Sequence, residues 1–62
     1  MTINQQIKLA RKAKGLTQQE LADLVGCTRE TIKTIEKRLK SPSFDLVQKI
    51  CLVVGIEEIK IN

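Results

Sequence analysis

The side chains of this chain that could do chemistry lie between Gln18 and Lys37, in the run QQELADLVGCTRETIKTIEK. Arg29, Glu30, Lys33, Thr34 and Lys37 surround Ile32 and Ile35, whose spacing makes them the inner face of a short helix. The polar set therefore faces outward. Such a face offers recognition chemistry: an arginine guanidinium matches N7 and O6 of guanine, and a glutamate can accept from cytosine N4. Catalytic chemistry is poorly served. The chain has no histidine and only two cysteines, Cys27 and Cys51. A cysteine nucleophile lacks its histidine partner, and a metal would need more ligands. The reading is of a protein that is not an enzyme and needs no cofactor or metal.

The elements that must position this face follow from the same run. Thr17 is an N-cap, Glu20 three residues on completes a capping box, and Leu16 and Leu21 can form a hydrophobic staple. Leu21, Ala22 and Val25 make one apolar stripe, and Gly26 stands where a helix end tolerates positive φ. Thr28 caps the next helix, with Cys27 and Ile32 placed for a second staple. Two helices joined so tightly must cross steeply, with Ala22 and Gly26 small enough to allow close approach. This is the layout of a helix-turn-helix, whose second helix, at about 29–38, can enter the major groove of DNA.

The remainder predicts scaffold, giving an all-α fold of four to five short helices. A first helix spans about residues 3 to 14, capped by Thr2 with Gln5, buried along Ile3, Ile7 and Ala10, and stopped by Gly15. Lys12 and Lys14 suit its C-terminal dipole. Pro42 breaks helical continuation and Ser43 caps a last helix, lined by Phe44, Val47, Ile50, Cys51 and Val54 and ended by Gly55. Both cysteines fall on core-facing positions as small hydrophobes. Residues 57–60 suit a further helical turn, whereas the alternation at Ile59 and Ile61 suits a short strand.

With these motifs assembled, the chain resembles the phage-repressor and Cro-like (XRE-type) helix-turn-helix regulators, which share the lambda-repressor-like bundle. The matching residues are RKAKGLTQ at 11–18, ELA at 20–22, Gly26, TRETI at 28–32, IE at 35–36, SPS at 41–43 and KI at 49–50. The resemblance covers about residues 5 to 56, and the ordered series is specific where a lone GLTQ would be weak. It implies a sequence-specific duplex-DNA-binding transcriptional repressor. It further implies that Gln18 contacts a phosphate, that Thr28, Arg29, Glu30, Lys33 and Thr34 read bases, and that Lys37, Arg38 and Lys40 hold the backbone. Arg11 and Glu36 match a pair that ties the first helix to the reading helix. One departure stands out. The family commonly has glycine where this chain has Arg38, so either the helix runs longer or Arg38 accepts a left-handed conformation that costs about 1–2 kcal/mol.

Composition fits this implication. Sixty-two residues with net charge +4 and pI near 9.4 suggest one small domain, residues 1–62, with a polyanionic partner. No small-molecule effector domain is expected. MTINQQIK lacks the apolar run of a signal peptide, and no run is long enough to span a bilayer, so the expectation is a soluble cytoplasmic protein. RNA or single-strand binding is disfavoured, because stacking platforms need aromatics and Phe44 stands alone. A protein-interaction module on the same fold, such as an antitoxin or anti-repressor, is the alternative. A homodimer is expected through the C-terminal region, with Leu52, Val53, Ile56, Ile59 and Ile61 as candidates; the same residues could instead close the core under the first helix.

Overall fold

The computed structural model describes residues 2–39 and 41–56. Among these are four helices: α1 (Ile3–Ala13), α2 (Gln18–Val25), α3 (Arg29–Glu36) and α4 (Phe44–Val54). Each begins at a hydroxyl that accepts from a backbone N–H three residues on: Thr2 from Gln5, Thr17 from Glu20, Thr28 from Thr31 and Ser43 from Leu46. The first two are full capping boxes, so two orphan donors are satisfied at each start.

The ends are equally regular. An N–H bonds back five residues in every case: Leu16 to Arg11 O, Cys27 to Ala22 O, Leu39 to Thr34 O and Ile56 to Cys51 O. The residue before each of these donors has positive φ, and it is glycine in three cases and Arg38, at φ 64°, in the fourth. This is the Schellman termination. It settles the path after α3: the helix stops at Glu36 rather than extending to 38, and Arg38 takes the left-handed conformation. Substituting glycine there is expected to raise stability. The strain relieved is about 1–2 kcal/mol and is partly offset by the extra freedom of unfolded glycine, about 0.4–1 kcal/mol. A thermal melt of Arg38→Gly should therefore shift upward by a few degrees.

Ile7, Leu21, Ala22, Val25, Ile32, Ile35, Ile50 and Val54 form the buried core, with Ile3, Ala10, Leu16, Cys27, Leu46, Val53 and Ile56 packed partly against it. α2 packs on α3 and α4, and α1 on α3 and α4. Ala22 is fully buried, as a tight crossing requires. A Cβ placed on Gly26 would meet nothing within 4 Å. Gly26 therefore serves the turn through its φ of 76°, and the expected close approach at that residue is not what fixes it.

Two expectations about α4 are corrected. Phe44 is 75% exposed, and Leu46 takes the core position instead. The reason is angular: Phe44 and Leu46 lie about 200° apart at roughly 100° per residue, so the stripe Leu46, Ile50, Val53, Val54 turns Phe44 outward. Cys51 and Val47, expected to line the core, are half-buried and are not among the residues packed against it, whereas Cys27 is half-buried and does pack against it. Burial raises both thiols above their ordinary pKa, which disfavours the reactive thiolate. The tail readings at 57–62, including Ile59 and Ile61, lie outside the described residues.

Candidate nucleic-acid interface

The outward face of α3 is held in place by a buried polar cluster. Arg11, on α1, donates from Nε to Glu36 Oε2 at 2.6 Å and from its Nη2 to Glu36 Oε1 at 3.0 Å. Its Nη1 donates to Leu16 O at 2.6 Å, which satisfies a carbonyl at the α1–α2 turn. Gln18, the first residue of α2, donates from Nε2 to Glu36 Oε1 at 3.1 Å. One carboxylate thus ties the C-terminus of α3 to α1 and to the N-terminus of α2. Both charged residues are more than nine-tenths buried. Burial pushes the Glu36 carboxyl up, but the bonds from Arg11 and Gln18 and the charges of Arg11 and Lys8 outweigh it and hold it below its ordinary range. A further bond, from Asn4 Nδ2 to Ile35 O at 2.8 Å, pins the last turn of α3 to α1.

The outward face of α3 is presented by this frame. Thr28, Arg29, Glu30, Lys37 and Arg38 are exposed, while Lys33 and Thr34 are half-buried. Arg29 and Gln18, expected to serve different parts of the duplex, come together with Arg11, Thr17 and Gln19 around an open hollow of about 610 Å³. Guanidinium and amide donors beside the N-terminus of α2 suit an anion there. Gln18 has one amide bond committed to Glu36, and an amide nitrogen carries two donors. Lys40 lies outside the described residues.

The threonines depart from a simple donor role. Thr28 Oγ1 accepts from Thr31 N and lies 2.9 Å from Thr31 Oγ1, and Thr34 Oγ1 donates to Thr31 O at 3.0 Å. Their hydroxyls are engaged within the helix. Thr31 and Leu39 border the same face and were not among the sequence-predicted readers. Thr31 is neutral in a helical pattern and so gives no signal. Leu39 could have been found from its place directly after the departure at Arg38, where the chain turns back along α3.

Four short helices, with a capped α3 pinned to α1 and α2 by a buried ion pair and its polar face left open, define a helix-turn-helix recognition bundle. A family model described as Helix-turn-helix matches residues 7–61, and the chain belongs to this family of DNA-binding transcriptional regulators. An uncharacterized HTH-type transcriptional regulator of Methanothermobacter thermautotrophicus is 48% identical over 54 residues, covering 87% of this chain and 78% of the relative. The immunity repressor protein of Bacillus phage phi105 is 33% identical over 57 residues, covering 92% of this chain and 40% of the relative. The regulator SinR of Bacillus subtilis is 34% identical over 55 residues, covering 87% of this chain and 50% of the relative. The chain therefore spans half or less of the last two. No solved structure matches it at a comparable level. Among the described residues, no helix is long and apolar enough to cross a membrane.

Proposed function

We propose that this chain represses transcription by binding an operator as a homodimer, with α3 in the major groove. The observation that carries the reading is the open face of α3. Arg29 and Glu30 stand exposed at its N-terminal end, and Lys37 and Arg38 at its C-terminal end, while the Arg11–Glu36–Gln18 cluster fixes the helix from behind. Base contacts then come from Arg29 and Glu30, with Lys33 and Thr34 at the edges. Phosphate contacts come from Gln18, Lys37, Arg38 and Lys40 and set the register. The relatives named as an immunity repressor and as transcriptional regulators support the assignment. Action in the cytoplasm follows from this role.

The test is selection of bound sites from random duplexes, followed by substitution. Arg29→Ala is expected to cost about 1–3 kcal/mol on the selected site and to relax preference at one base pair. Lys37→Ala should weaken all sequences about equally, because a phosphate contact carries no sequence information. Unchanged preference in the Arg29 variant would reject this assignment of the reading face.

Pairing of two copies is supported by what α4 leaves uncovered. Phe44 is 75% and Leu52 86% exposed, and they share one face at a spacing of two helical turns. Val53 packs against the core instead, so a charge there would test folding rather than assembly. Leu52→Asp is expected to leave the melting temperature near that of the parent and to shift sedimentation from dimer to monomer. A parent that stays monomeric at high concentration and binds a half-site as tightly as the variant would defeat the dimer. If that α4 face instead serves a different protein, as the antitoxin or anti-repressor reading requires, the variant would lose that partner without a change in self-association.

A further inference from the structure

The outer face of α3 holds a second hollow, of about 400 Å³, lined by Thr28, Glu30, Thr31, Thr34 and Leu39. Among the described residues its lining includes one carboxylate, Glu30, and no cation, so these side chains offer a phosphate no counter-charge. Its apolar parts are specific. Leu39 is 74% exposed, yet its backbone is fixed, because its N–H bonds Thr34 O at 2.9 Å in the Schellman closure. The three threonine hydroxyls are engaged with one another and with the helix backbone. Those bonds use part of their hydrogen-bonding capacity, and the apolar surface that the threonines add beside Leu39 is their methyl groups. An exposed leucine beside three threonine methyls, on the face of a helix built to meet base edges, is matched by one feature of the major groove. That feature is the 5-methyl group of thymine, which bases other than thymine lack.

We propose, on the strength of the duplex-DNA reading above, that this hollow is a thymine-methyl subsite and that Leu39 is a specificity-determining residue. Thr31 and Thr34, both half-buried, supply the inner part of the lining, and the exposed Leu39 its outer part. Glu30 at the rim keeps the phosphate backbone out, so the hollow takes a base edge. The unusual left-handed Arg38 has a consequence here, since it turns the chain so that Leu39 falls back along α3. Recognition by this protein then has two independent parts: a polar contact from Arg29 at one end of α3 and an apolar contact from Leu39 at the other.

The experiment uses the whole chain and a duplex recovered by site selection. Each thymine is replaced singly by uracil, which removes the methyl group and keeps the pairing. One thymine per half-site is expected to weaken binding about fourfold on replacement, the size of one buried methyl group. In Leu39→Ser that penalty should vanish, while discrimination at the base pair read by Arg29 stays intact. Thr34→Ser, which removes a methyl and keeps the hydroxyl bond, should reduce the same penalty. Melting curves confirm that both variants fold. A flat uracil scan in a parent that still discriminates at the Arg29 position would overturn the subsite. A penalty of unchanged size in both variants would place the methyl elsewhere and overturn it too. A parent with no preference among duplexes would overturn the DNA reading and the subsite together.

Discussion

Replacing Glu36 by alanine is expected to cost about 3–5 kcal/mol of folding stability, because it leaves the Arg11 guanidinium buried without its counter-charge. A chain of this size buries only about 60% of its unfolded surface and has a thin margin, so much of the variant population should be unfolded at ambient temperature. Urea or thermal unfolding followed by circular dichroism measures the loss. The carboxylate accepts two bonds from Arg11 and one from Gln18, so three segments loosen at once. A double substitution of Arg11 and Glu36 by methionine should cost less than either single alanine, since neither charge is then stranded. The folded-state pKa of Glu36 lies below its unfolded value. The contribution of this group is therefore present above the ordinary glutamate range and is lost as pH falls through the lower folded value. Stability of the parent should decline on acidification in that window, and Glu36→Gln should flatten that part of the curve. An alanine variant as stable as the parent would mean that the cluster is ornamental to the fold.

Operator affinity is expected to fall on the order of 10³–10⁵ between about 50 and about 200 mM salt, for a dimer making about 6–10 phosphate contacts. The structure narrows which cations can produce this. Arg11 is 7% exposed and paired, so it adds nothing to the footprint. On the proposed reading, Arg29, Lys33, Lys37 and Arg38 on the α3 side are the cations expected to supply it. Arg38→Gly should therefore reduce the slope of log affinity against log salt by about one unit per subunit, even as it stabilises the fold. Stability and affinity move in opposite directions in that one variant, which separates a folding effect from a binding effect. A binding titration with no salt dependence would refute the electrostatic part of the DNA reading.

Much of the fold was legible because it is written locally. A cap is a relation between a hydroxyl and an N–H three residues away, so Thr2, Thr17, Thr28 and Ser43 could be placed from spacing alone. The same holds for the stripe Leu21, Ala22, Val25 and for the pair Ile32, Ile35, whose burial follows from helical period. Arg11 and Glu36 are different. Their types and positions were visible, but only the resemblance to a family suggested that they meet, since nothing in a 25-residue separation indicates contact.

Where the sequence misled, the error came from reading an element without its neighbours. Phe44 looked like a core residue because it is large and begins an apolar run. Whether Phe44 or Leu46 faces inward depends on how α4 is rotated against α1 and α2, and that rotation is set by packing.

By itself, then, the sequence determined the four helix starts, the helix-turn-helix spacing, the outward polarity of α3 and the family to which the chain belongs. The helix starts and the polarity of α3 depend on residues within one or two helical turns of one another, and the family rests on the ordered series of such local motifs along residues 11–50. Only the tertiary structure decided that Arg38 takes positive φ, that Phe44 and Leu52 stay uncovered, that Gln18 shares Glu36 with Arg11, and that Leu39 lies beside Thr31 and Thr34 on the outer side of α3. Those features are set by how separate helices are oriented and terminated against one another, and that orientation is fixed by the packing of the whole core.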